Sequence, residues 1–154
     1  MPKRSAGVLL FRRIGREIEV LLAHPGGPFW KNKDDGAWSI PKGEYGDEED
    51  PLAAAKREFA EETGLTPSGD FVPLGEVRQP GGKFVSAWAV EGDFDTANLR
   101  SNTFSMPWPP GSGKLQEFPE IDRAEWFALD IARRKILKGQ AGLLEHLVKQ
   151  KLDE

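Results

Sequence analysis

The sequence predicts an α/β fold in which a mixed β-sheet lies between helices. Segments rich in Val, Leu and Ile alternate with helical segments, and this strand–helix–strand–helix order is typical of layered α/β domains. The first strand segment is apolar almost throughout, as expected for a central strand covered on both faces. A length of 154 residues favours one compact domain over residues 1–154, with no internal repeat or boundary.

The chain begins with a predicted β-hairpin. Residues 5–14 and 17–23 are rich in Val, Leu and Ile, and a Gly-Arg pair separates them. Residues 24–28, His-Pro-Gly-Gly-Pro, have the composition of a loop. Phe29 and Trp30 follow, either as an aromatic cover at the edge of the core or as surfaces on which a base stacks.

Residues 37–43 form a short extended segment that leads into a helix predicted over residues 51–63. Asp50 can accept hydrogen bonds from the first turn, Pro51 suits the first helical position, and Gly64 ends the helix. One narrow face is apolar and is expected to pack on the core. This face comprises Leu52, Ala55, Phe59 and Thr63.

Two further strands are predicted after this helix, at residues 71–78 and 83–90, around a Gln-Pro-Gly-Gly turn. The segment that follows has the least regular pattern. Because a long loop inside a compact domain is usually functional or disordered, its aromatic content favours an ordered rim or lid loop at residues 100–116.

The C-terminal part is predicted as a short strand at residues 125–127 followed by a helix over residues 130–152. Asp130 is the expected cap of this helix. Its apolar side chains fall mostly on one side, as in an amphipathic helix. They are Ile131, Leu137, Leu144, Leu147 and Val148.

Composition excludes several classes of protein. With 38% hydrophobic and 30% charged residues the chain is typical of globular proteins, and no apolar run reaches the roughly 20 residues that span a bilayer. The apolar N-terminal stretch is too short for a signal peptide. The absence of cysteine excludes disulfides and thiolate metal sites, and the cytoplasm is the expected compartment.

The charge of the chain bears on its partners. A net charge of −4 argues against a nucleic-acid binder, which would normally carry a basic face. It does not argue against a small nucleotide substrate, because a metal ion and a few cations can reverse the potential inside one cleft. Neither a membrane nor a nucleic acid is expected as a partner, and the chain is expected to be a monomer or a homodimer.

Three glutamates crowd one side of the last turns of the predicted helix at residues 51–63. Glu58 and Glu62 are four residues apart, and Glu58 and Glu61 three apart. Like charges at this spacing, near the negative end of the helix dipole, disfavour a helix. A solvated acidic face is the ordinary interpretation. A bound divalent cation would reverse the effect, because Mg²⁺ and Mn²⁺ take hard oxygen ligands.

The spacing around these glutamates is more specific. Gly43 is followed after five residues by Glu49, and after seven more by Arg-Glu-Phe-Ala-Glu-Glu-Thr-Gly-Leu at residues 57–65. This pattern resembles the Nudix box over residues 43–65 at all nine defined positions. The resemblance implies the Nudix fold, an α/β/α sandwich whose box forms a loop, a helix and a loop. It also implies hydrolysis of a nucleoside diphosphate linked to another group, with Mg²⁺ or Mn²⁺ as cofactor.

The chemistry of that reaction suits the acidic helix. A pyrophosphate is a stable polyanion, so a catalyst must neutralise its oxygens and present a water in line with the bond that breaks. Glu58 and Glu62 are the primary candidate metal ligands, and the resemblance implies the Gly43 carbonyl as a third. Glu61 is either a further ligand or the base that orients the water.

The resemblance implies a different role for Arg57 and Glu49. A salt bridge between them would hold the loop against the helix and orient the ligands. The alternative for Arg57 is an exposed cation that offsets nearby glutamate charge. Lys42, beside Gly43, and Lys83, at the start of a strand, are either contacts for substrate phosphates or ordinary surface lysines.

A closer resemblance is to asymmetric diadenosine tetraphosphate hydrolases, a branch of the Nudix family. It is carried by Trp-Ser-Ile-Pro-Lys-Gly at residues 38–43, by Lys83 five residues before Trp88, and by Glu120 six residues before Trp126. In that branch the lysine contacts phosphate and the glutamate lies close to the metals. The resemblance therefore implies Glu120 as an extra ligand or base, with Glu117 as its competitor.

Two features depart from that branch. Ala87 stands where the branch has a tyrosine that stacks a base, and residues 102–114 look like an insertion. This insertion resembles that of bacterial Nudix proteins described as predicted nucleoside triphosphate pyrophosphohydrolases. Trp38 and Phe84 are the aromatic candidates for contact with substrate. Aromatic side chains that offer base stacking in place of the tyrosine are Phe84, Phe104 and Trp108.

Together these patterns predict a divalent-metal-dependent pyrophosphohydrolase whose substrate is a dinucleoside polyphosphate or a nucleoside triphosphate. Nucleotide sugars, ADP-ribose and polyphosphate-bearing inositols are alternative substrates. An alternative of another class is a catalytically silent Nudix-fold domain that binds or senses a nucleotide. An alkaline rate optimum is expected, because the ligand carboxylates must be ionised and the metal-bound water acidified.

Overall fold

The computed structural model describes residues 3–152, so residues 1–2 and 153–154 of the predicted domain lie outside the described part. No helix within residues 3–152 is long and apolar enough to cross a membrane. The strands are β1 Arg4–Ile14, β2 Glu17–Pro25, β3 Lys42–Glu44, β4 Val72–Gln79, β5 Lys83–Glu91, β6 Thr103–Pro107, β7 Leu115–Pro119 and β8 Ile121–Ala128. The helices are α1 Pro51–Thr63, α2 Leu129–Lys135 and α3 Ala141–Leu152, with short 3₁₀ turns at Thr96–Asn98 and Lys138–Gln140.

One mixed sheet has the strand order β4-β5-β1-β2-β8, with β3 also paired to β1. β1 and β5 are parallel, and the other pairs are antiparallel. β1 is central and is buried from Ser5 to Phe11, as its apolar sequence predicted. It pairs with β2 from Phe11 to Ile14 but with β3 from Ser5 to Gly7. β1 and β2 therefore diverge, and the segment that leads into α1 fills the fork between them.

Helices cover both faces of this sheet. The cluster on one face includes Ala54, Ala55 and Phe59 of α1 packed with Val8, Leu10 and Val90 of the sheet. The cluster on the other includes Leu143, Leu144 and Leu147 of α3 packed with Leu9, Phe11 and Leu22. Full burial of one such side chain contributes about 1.5–3 kcal/mol. The predicted mixed sheet between helices is confirmed.

α1 begins and ends where the sequence predicts. The Asp50 side chain accepts a hydrogen bond from the Ala53 N–H at 3.0 Å, and Pro51 occupies the first turn. Gly64 has φ 84°, a left-handed conformation that favours glycine, and ends the helix. The buried face differs in one position, because Ala54 is buried whereas Leu52 is only partly so.

The segment predicted as a rim or lid loop at residues 100–116 is largely a β-hairpin. β6 and β7 pair antiparallel, and the rings of Phe104 and Phe118 lie 5.9 Å apart. Two strands of five residues around a turn rich in Pro and Gly give little periodic signal, which explains the missed hairpin. The prediction that this segment is a loop without strands was therefore wrong. Its role as a rim or lid of the site stays a prediction.

The single C-terminal helix predicted over residues 130–152 is two helices separated by a 3₁₀ turn. Ile136 leaves the helical conformation, with φ −72° and ψ 149°, and forms a β-bridge with Trp38. The N-cap of α2 is Ala128, so the prediction that Asp130 caps the helix was wrong. This break places the 3₁₀ turn against the segment that leads into α1. β8 is also longer than predicted, because it pairs with β2 along its whole length.

Candidate active site

The acidic residues of α1 line a pocket beside β3. The pocket has a volume of about 440 Å³ and receives residues from α1, β3 and both ends of the β6–β7 hairpin. Its lining residues are Lys42, Gly43, Glu44, Glu58, Glu61, Glu62, Asn102 and Glu120. We call it the carboxylate pocket. It brings together six of the predicted site residues from three separate parts of the chain.

Glu62 is the most strongly perturbed carboxyl group in this pocket. Burial raises its pKa to about 8, and the nearby charges of Glu58 and Glu120 act in the same direction. Lys42 acts in the opposite direction, through its charge and through its backbone N–H, which donates to the carboxylate. A carboxyl group in a pocket whose pKa is shifted strongly by burial and by named neighbouring charges is typical of a functional site.

Glu58 lies against the backbone of Gly43. A Cβ atom at position 43 would overlap the Glu58 carboxylate, so this approach requires glycine. Burial raises the pKa of Glu58, whereas its ion pair with Arg57 at 2.8 Å acts in the opposite direction. The contact brings a carboxylate and a peptide group, both predicted as oxygen ligands, to the same wall of the pocket.

Arg57 ties the loop before α1 to the carboxylates. Its Nε and Nη2 donate to the two oxygens of Glu49 at 2.8 and 2.9 Å, so the predicted salt bridge is present as a bidentate pair. The guanidinium lowers the pKa of Glu49. Nη1 donates to Glu58 at 2.8 Å and to Glu61 at 3.3 Å. Within residues 3–152 no three His, Asp or Glu side chains converge as metal ligands, and Glu58 and Glu61 instead share Arg57.

The two predicted phosphate-binding lysines occupy different environments. Lys42 is partly buried and lines the carboxylate pocket, and burial lowers its pKa. The charge of Lys83 lowers that pKa further, whereas the charge of Glu62 raises it. Lys83 is exposed at the start of β5 and does not line the pocket. Lys42 thus lies inside the pocket, and the charge of Lys83, outside it, contributes to the lowered pKa of Lys42.

The hairpin supplies Glu120 and Asn102 to the pocket. Glu120 follows β7 and Asn102 precedes β6, and the Glu120 N–H donates to the Asn102 carbonyl at 2.7 Å. The Asn102 N–H donates in turn to the Glu61 carbonyl at 3.0 Å, which fastens the hairpin to the end of α1. Glu117 is exposed on β7 and does not line the pocket. Of the two competing glutamates, the structure brings Glu120 to the carboxylates.

Trp38 does not face the pocket. Its side chain is 1% exposed, and its ring packs edge-on against His24 and Phe127 at 5.0 Å. Its Nε1 donates to Asp34 at 2.9 Å. The prediction that Trp38 contacts the substrate was wrong, because the segment before β3 is buried between β1 and β2 and its large side chain fills the core.

Trp38→Ala is therefore expected to lower the free energy of unfolding by about 3–5 kcal/mol, the usual cost of truncating a buried aromatic side chain. Urea denaturation followed by circular dichroism measures this. Trp30→Ala, at a side chain that is 40% exposed, is the matched control and is expected to cost about 1 kcal/mol or less. Similar losses for the two variants would contradict the assignment of Trp38 to the core.

The other aromatic candidates also lie outside the carboxylate pocket. Phe84 is partly buried at the start of β5, with the guanidinium of Arg78 5.9 Å from its ring. Phe104 packs against Phe118, and Trp108 stacks edge-on against Phe29 at 5.7 Å. The geometry therefore gives no support to Phe84 as a substrate contact.

A smaller cavity of about 280 Å³ adjoins the carboxylate pocket and shares Lys42, Glu62 and Glu120 with it. Its other lining residues are Ala23, Pro25, Trp30, Ala37, Ser39, Ile40, Ile121 and Leu137. We call it the side cavity. Apolar walls with a few polar groups suit a small organic ligand. Most of these residues gave no signal in the sequence, because they come from β2, from the segment before β3 and from the turn after α2, which only the fold brings together.

Comparison with known proteins agrees with this geometry. A family model described as the NUDIX domain matches residues 1–147. A nucleoside triphosphate pyrophosphatase/Nudix hydrolase fusion protein of Bifidobacterium longum (strain NCC 2705) is 30% identical over 114 residues, 69% of this chain. The match covers 23% of that relative, so the chain spans about a quarter of its length.

Solved structures show the same fold at lower identity. A binary complex of a C. elegans Ap4A hydrolase has a TM-score of 0.64 and 22% identity over 99% of both chains. The NUDIX domain of Shewanella oneidensis NrtR, complexed with ADP ribose, has a TM-score of 0.66 and 17% identity over 98% of this chain and 89% of that chain. The family match over residues 1–147 establishes that the chain belongs to the Nudix family.

Proposed function

We propose that this chain, as a single domain over residues 1–154, hydrolyses a pyrophosphate linkage in a nucleoside diphosphate joined to another group. The observation that carries the proposal is the carboxylate pocket, which Glu58, Glu62 and Glu120 line together with Lys42. Such a pocket concentrates negative charge that a divalent cation and a phosphate chain together would balance.

The residues of the pocket fit a divalent cation. All of the candidate donors are hard oxygens, and burial together with the charges of Glu58 and Glu120 raises the pKa of Glu62, which a bound cation would offset. The close approach of Glu58 to Gly43 leaves room for no side chain at position 43. Glu58, Glu62 and the Gly43 carbonyl would hold Mg²⁺ or Mn²⁺, and Glu61 or Glu120 would add a ligand or act as base. When bound, the ion neutralises phosphate charge and acidifies water.

Other residues hold this arrangement and the substrate in place. The bidentate pair between Arg57 and Glu49 fixes the loop that carries Gly43. Lys42 offers a positive charge to a phosphate oxygen inside the pocket, and its backbone N–H orients the Glu62 carboxylate. The side cavity, which shares Lys42 and Glu62, would accept the nucleoside.

The leading substrates are a dinucleoside polyphosphate and a nucleoside triphosphate. The likeness in fold to an Ap4A hydrolase fits the first, and the name of the B. longum relative fits the second. The ADP ribose complex of the NrtR NUDIX domain supports two alternatives. One is ADP-ribose as the substrate, and the other is a domain that binds a nucleotide without cleaving it. Nucleotide binding by calorimetry without metal-dependent phosphate release would favour the binding domain.

Product analysis by chromatography tests the proposal. Diadenosine tetraphosphate, nucleoside triphosphates, nucleotide sugars and ADP-ribose are incubated with the protein and Mg²⁺, and then with EDTA. ATP plus AMP from the tetraphosphate, lost in EDTA, would identify the dinucleoside polyphosphate. Monophosphate plus pyrophosphate would identify the triphosphate. Absence of turnover across the panel would contradict the proposal for these substrates.

Without a divalent cation, the stabilising contribution of Glu62 is expected to fall as pH rises. With Mg²⁺ bound, the contribution of this residue is expected to rise with pH. The pKa of Glu62, about 8 in the fold, lies above its ordinary value of 4.5, so the neutral carboxyl stabilises the fold below pH 4.5. This contribution is lost as pH rises through 8. A divalent cation binds the ionised form, so its stabilisation grows over the same range.

Melting temperatures in Mg²⁺ and in EDTA, from about pH 5 to pH 9, measure the effect. The gap between the two series is expected to widen as pH rises. Glu62→Gln removes the titrating group. In this variant the melting temperature is expected to change less with pH, both in Mg²⁺ and in EDTA. A wild-type gap that does not change with pH would contradict the assignment of Glu62 as a ligand.

A further inference from the structure

A shallow groove runs along the seam between the β4–β5 turn and the 3₁₀ turn at Lys138–Gln140. It has a volume of about 450 Å³. Its lining residues are Arg78, Gln79, Pro80, Gly81, Gly82, Lys138 and Gly139. We call it the basic groove, because two cations line it and none of its lining residues is acidic.

The cations of the basic groove differ from the arginines and lysines that are held in ion pairs elsewhere on the surface. Within residues 3–152, neither Arg78 nor Lys138 forms an ion pair, and the neighbouring Lys83 forms none. Cations held in ion pairs elsewhere include Arg12, Arg57, Arg133, Arg134 and Lys135. In a chain with a net charge of −4, a local group of unpaired cations makes a patch that attracts anions.

The basic groove lies next to the candidate active site. Lys83 follows Gly82 of the groove directly, and Lys138 of the groove directly follows Leu137, which lines the side cavity together with Lys42 and Glu62. No atom lies within 4 Å of where a Cβ would stand at Gly81 or Gly82, so the β4–β5 turn is open to a ligand at these two positions.

A buried hydrogen-bond network joins the walls of the groove and the side cavity. The Gln140 amide donates to Gln79 and to Ser39 at 3.0 Å, and accepts from the Ile40 N–H at 3.1 Å. Gln79 lines the basic groove, whereas Ser39 and Ile40 line the side cavity. Because Gln140 is fully buried, these contacts fix the groove relative to the site.

We propose that the basic groove binds the distal phosphates of a substrate whose polyphosphate chain runs from the carboxylate pocket past Lys83 to Arg78 and Lys138. The inference rests on the proposed function and extends it. It assigns the substrate to compounds with a phosphate chain longer than a diphosphate. Exposed guanidinium and ammonium groups suit this task, since they bind phosphate oxygens without fixing the rest of the ligand.

Binding of linear inorganic tetraphosphate and of pyrophosphate, measured by calorimetry in Mg²⁺, tests the proposal without catalysis. The double variant Arg78→Gln/Lys138→Gln is expected to bind tetraphosphate about tenfold more weakly and pyrophosphate within about twofold of wild type. The matched control is Arg16→Gln/Lys149→Gln, which removes the same charge at exposed positions outside the groove. It is expected to change both affinities by less than about twofold.

Charge-conserving replacement separates charge from folding, because Arg78→Lys/Lys138→Arg is expected to keep tetraphosphate affinity within about twofold. Equal losses for the two anions, or a loss no larger than in the control, would overturn the proposal. Failure of the proposed function would show in the turnover assay, not in the binding assay. Selective loss of tetraphosphate binding in a protein that cleaves no nucleotide would support the groove and count against the hydrolase. If the wild-type protein turns over a nucleotide but the double variant binds tetraphosphate as well as wild type does, the proposal for the basic groove is overturned and the proposed hydrolase function stands.

Discussion

Glu62→Gln is expected to lower turnover by about a hundredfold to a thousandfold while leaving the fold intact. The amide keeps the shape of the side chain but cannot carry the negative charge that a divalent cation needs, and removal of one group that stabilises charge in a transition state commonly costs 10²–10³-fold. The same change is expected to leave stability unchanged or slightly higher at about pH 8, because burial of Glu62 already favours its neutral form.

Steady-state rates in Mg²⁺, together with melting temperatures, separate the loss of activity from a loss of structure. Glu117→Gln is the matched control, since it makes the same chemical change on β7 at an exposed residue outside the carboxylate pocket. It is expected to keep turnover within about twofold. Turnover near the wild-type level in Glu62→Gln would refute the proposed role of this glutamate.

The features that the sequence predicted well are local ones. Asp50, Pro51 and Gly64 define both ends of α1 through hydrogen bonds and backbone angles that involve only nearby residues. The resemblance to the Nudix box implied the pairing of Arg57 with Glu49, which joins two residues only eight positions apart. β1 and β2 were predictable for the same reason, because their apolar runs are nearly continuous.

The features that the sequence did not predict depend on contacts between distant segments. Trp38 is in the core because β1 and β2 diverge around it, a consequence of sheet topology that no local pattern records. Asn102 reaches the carboxylate pocket only because a hairpin returns the chain to Glu120. Gln140 lies within the segment predicted as one helix, and its burial depends on Ser39 and Gln79.

Gly43 is a position where a local sequence pattern and a contact between separate segments explain each other. The sequence pattern marks the position as glycine, and the structure supplies the physical reason, since the Glu58 carboxylate occupies the space of a Cβ atom. The fixed glycine and the glutamate fifteen residues later are therefore one feature, a close contact between a loop backbone and a helix side chain. Either residue alone would explain little about the pocket.

Gly43→Ala is accordingly expected to lower kcat/KM by about a hundredfold or more, because the new methyl group must displace Glu58 from the wall of the carboxylate pocket. A misplacement of a ligand by about 1 Å commonly costs this much. Affinity for Mn²⁺, measured by calorimetry, is expected to fall in parallel. The overall fold is expected to persist, since Glu58 lies near the surface at a side-chain exposure of 15% and can turn toward Arg57.

Gly46→Ala provides a matched control in the same loop, because nothing lies within 4 Å of the position where its Cβ would stand. This variant is expected to keep kcat/KM within about twofold of wild type. A double-variant cycle isolates the contact itself. In a Glu58→Ala background, which removes the carboxylate that the methyl group would meet, Gly43→Ala is expected to cause little further loss. If Gly43→Ala were as harmful without the Glu58 carboxylate as with it, the glycine would serve the loop backbone rather than the position of Glu58.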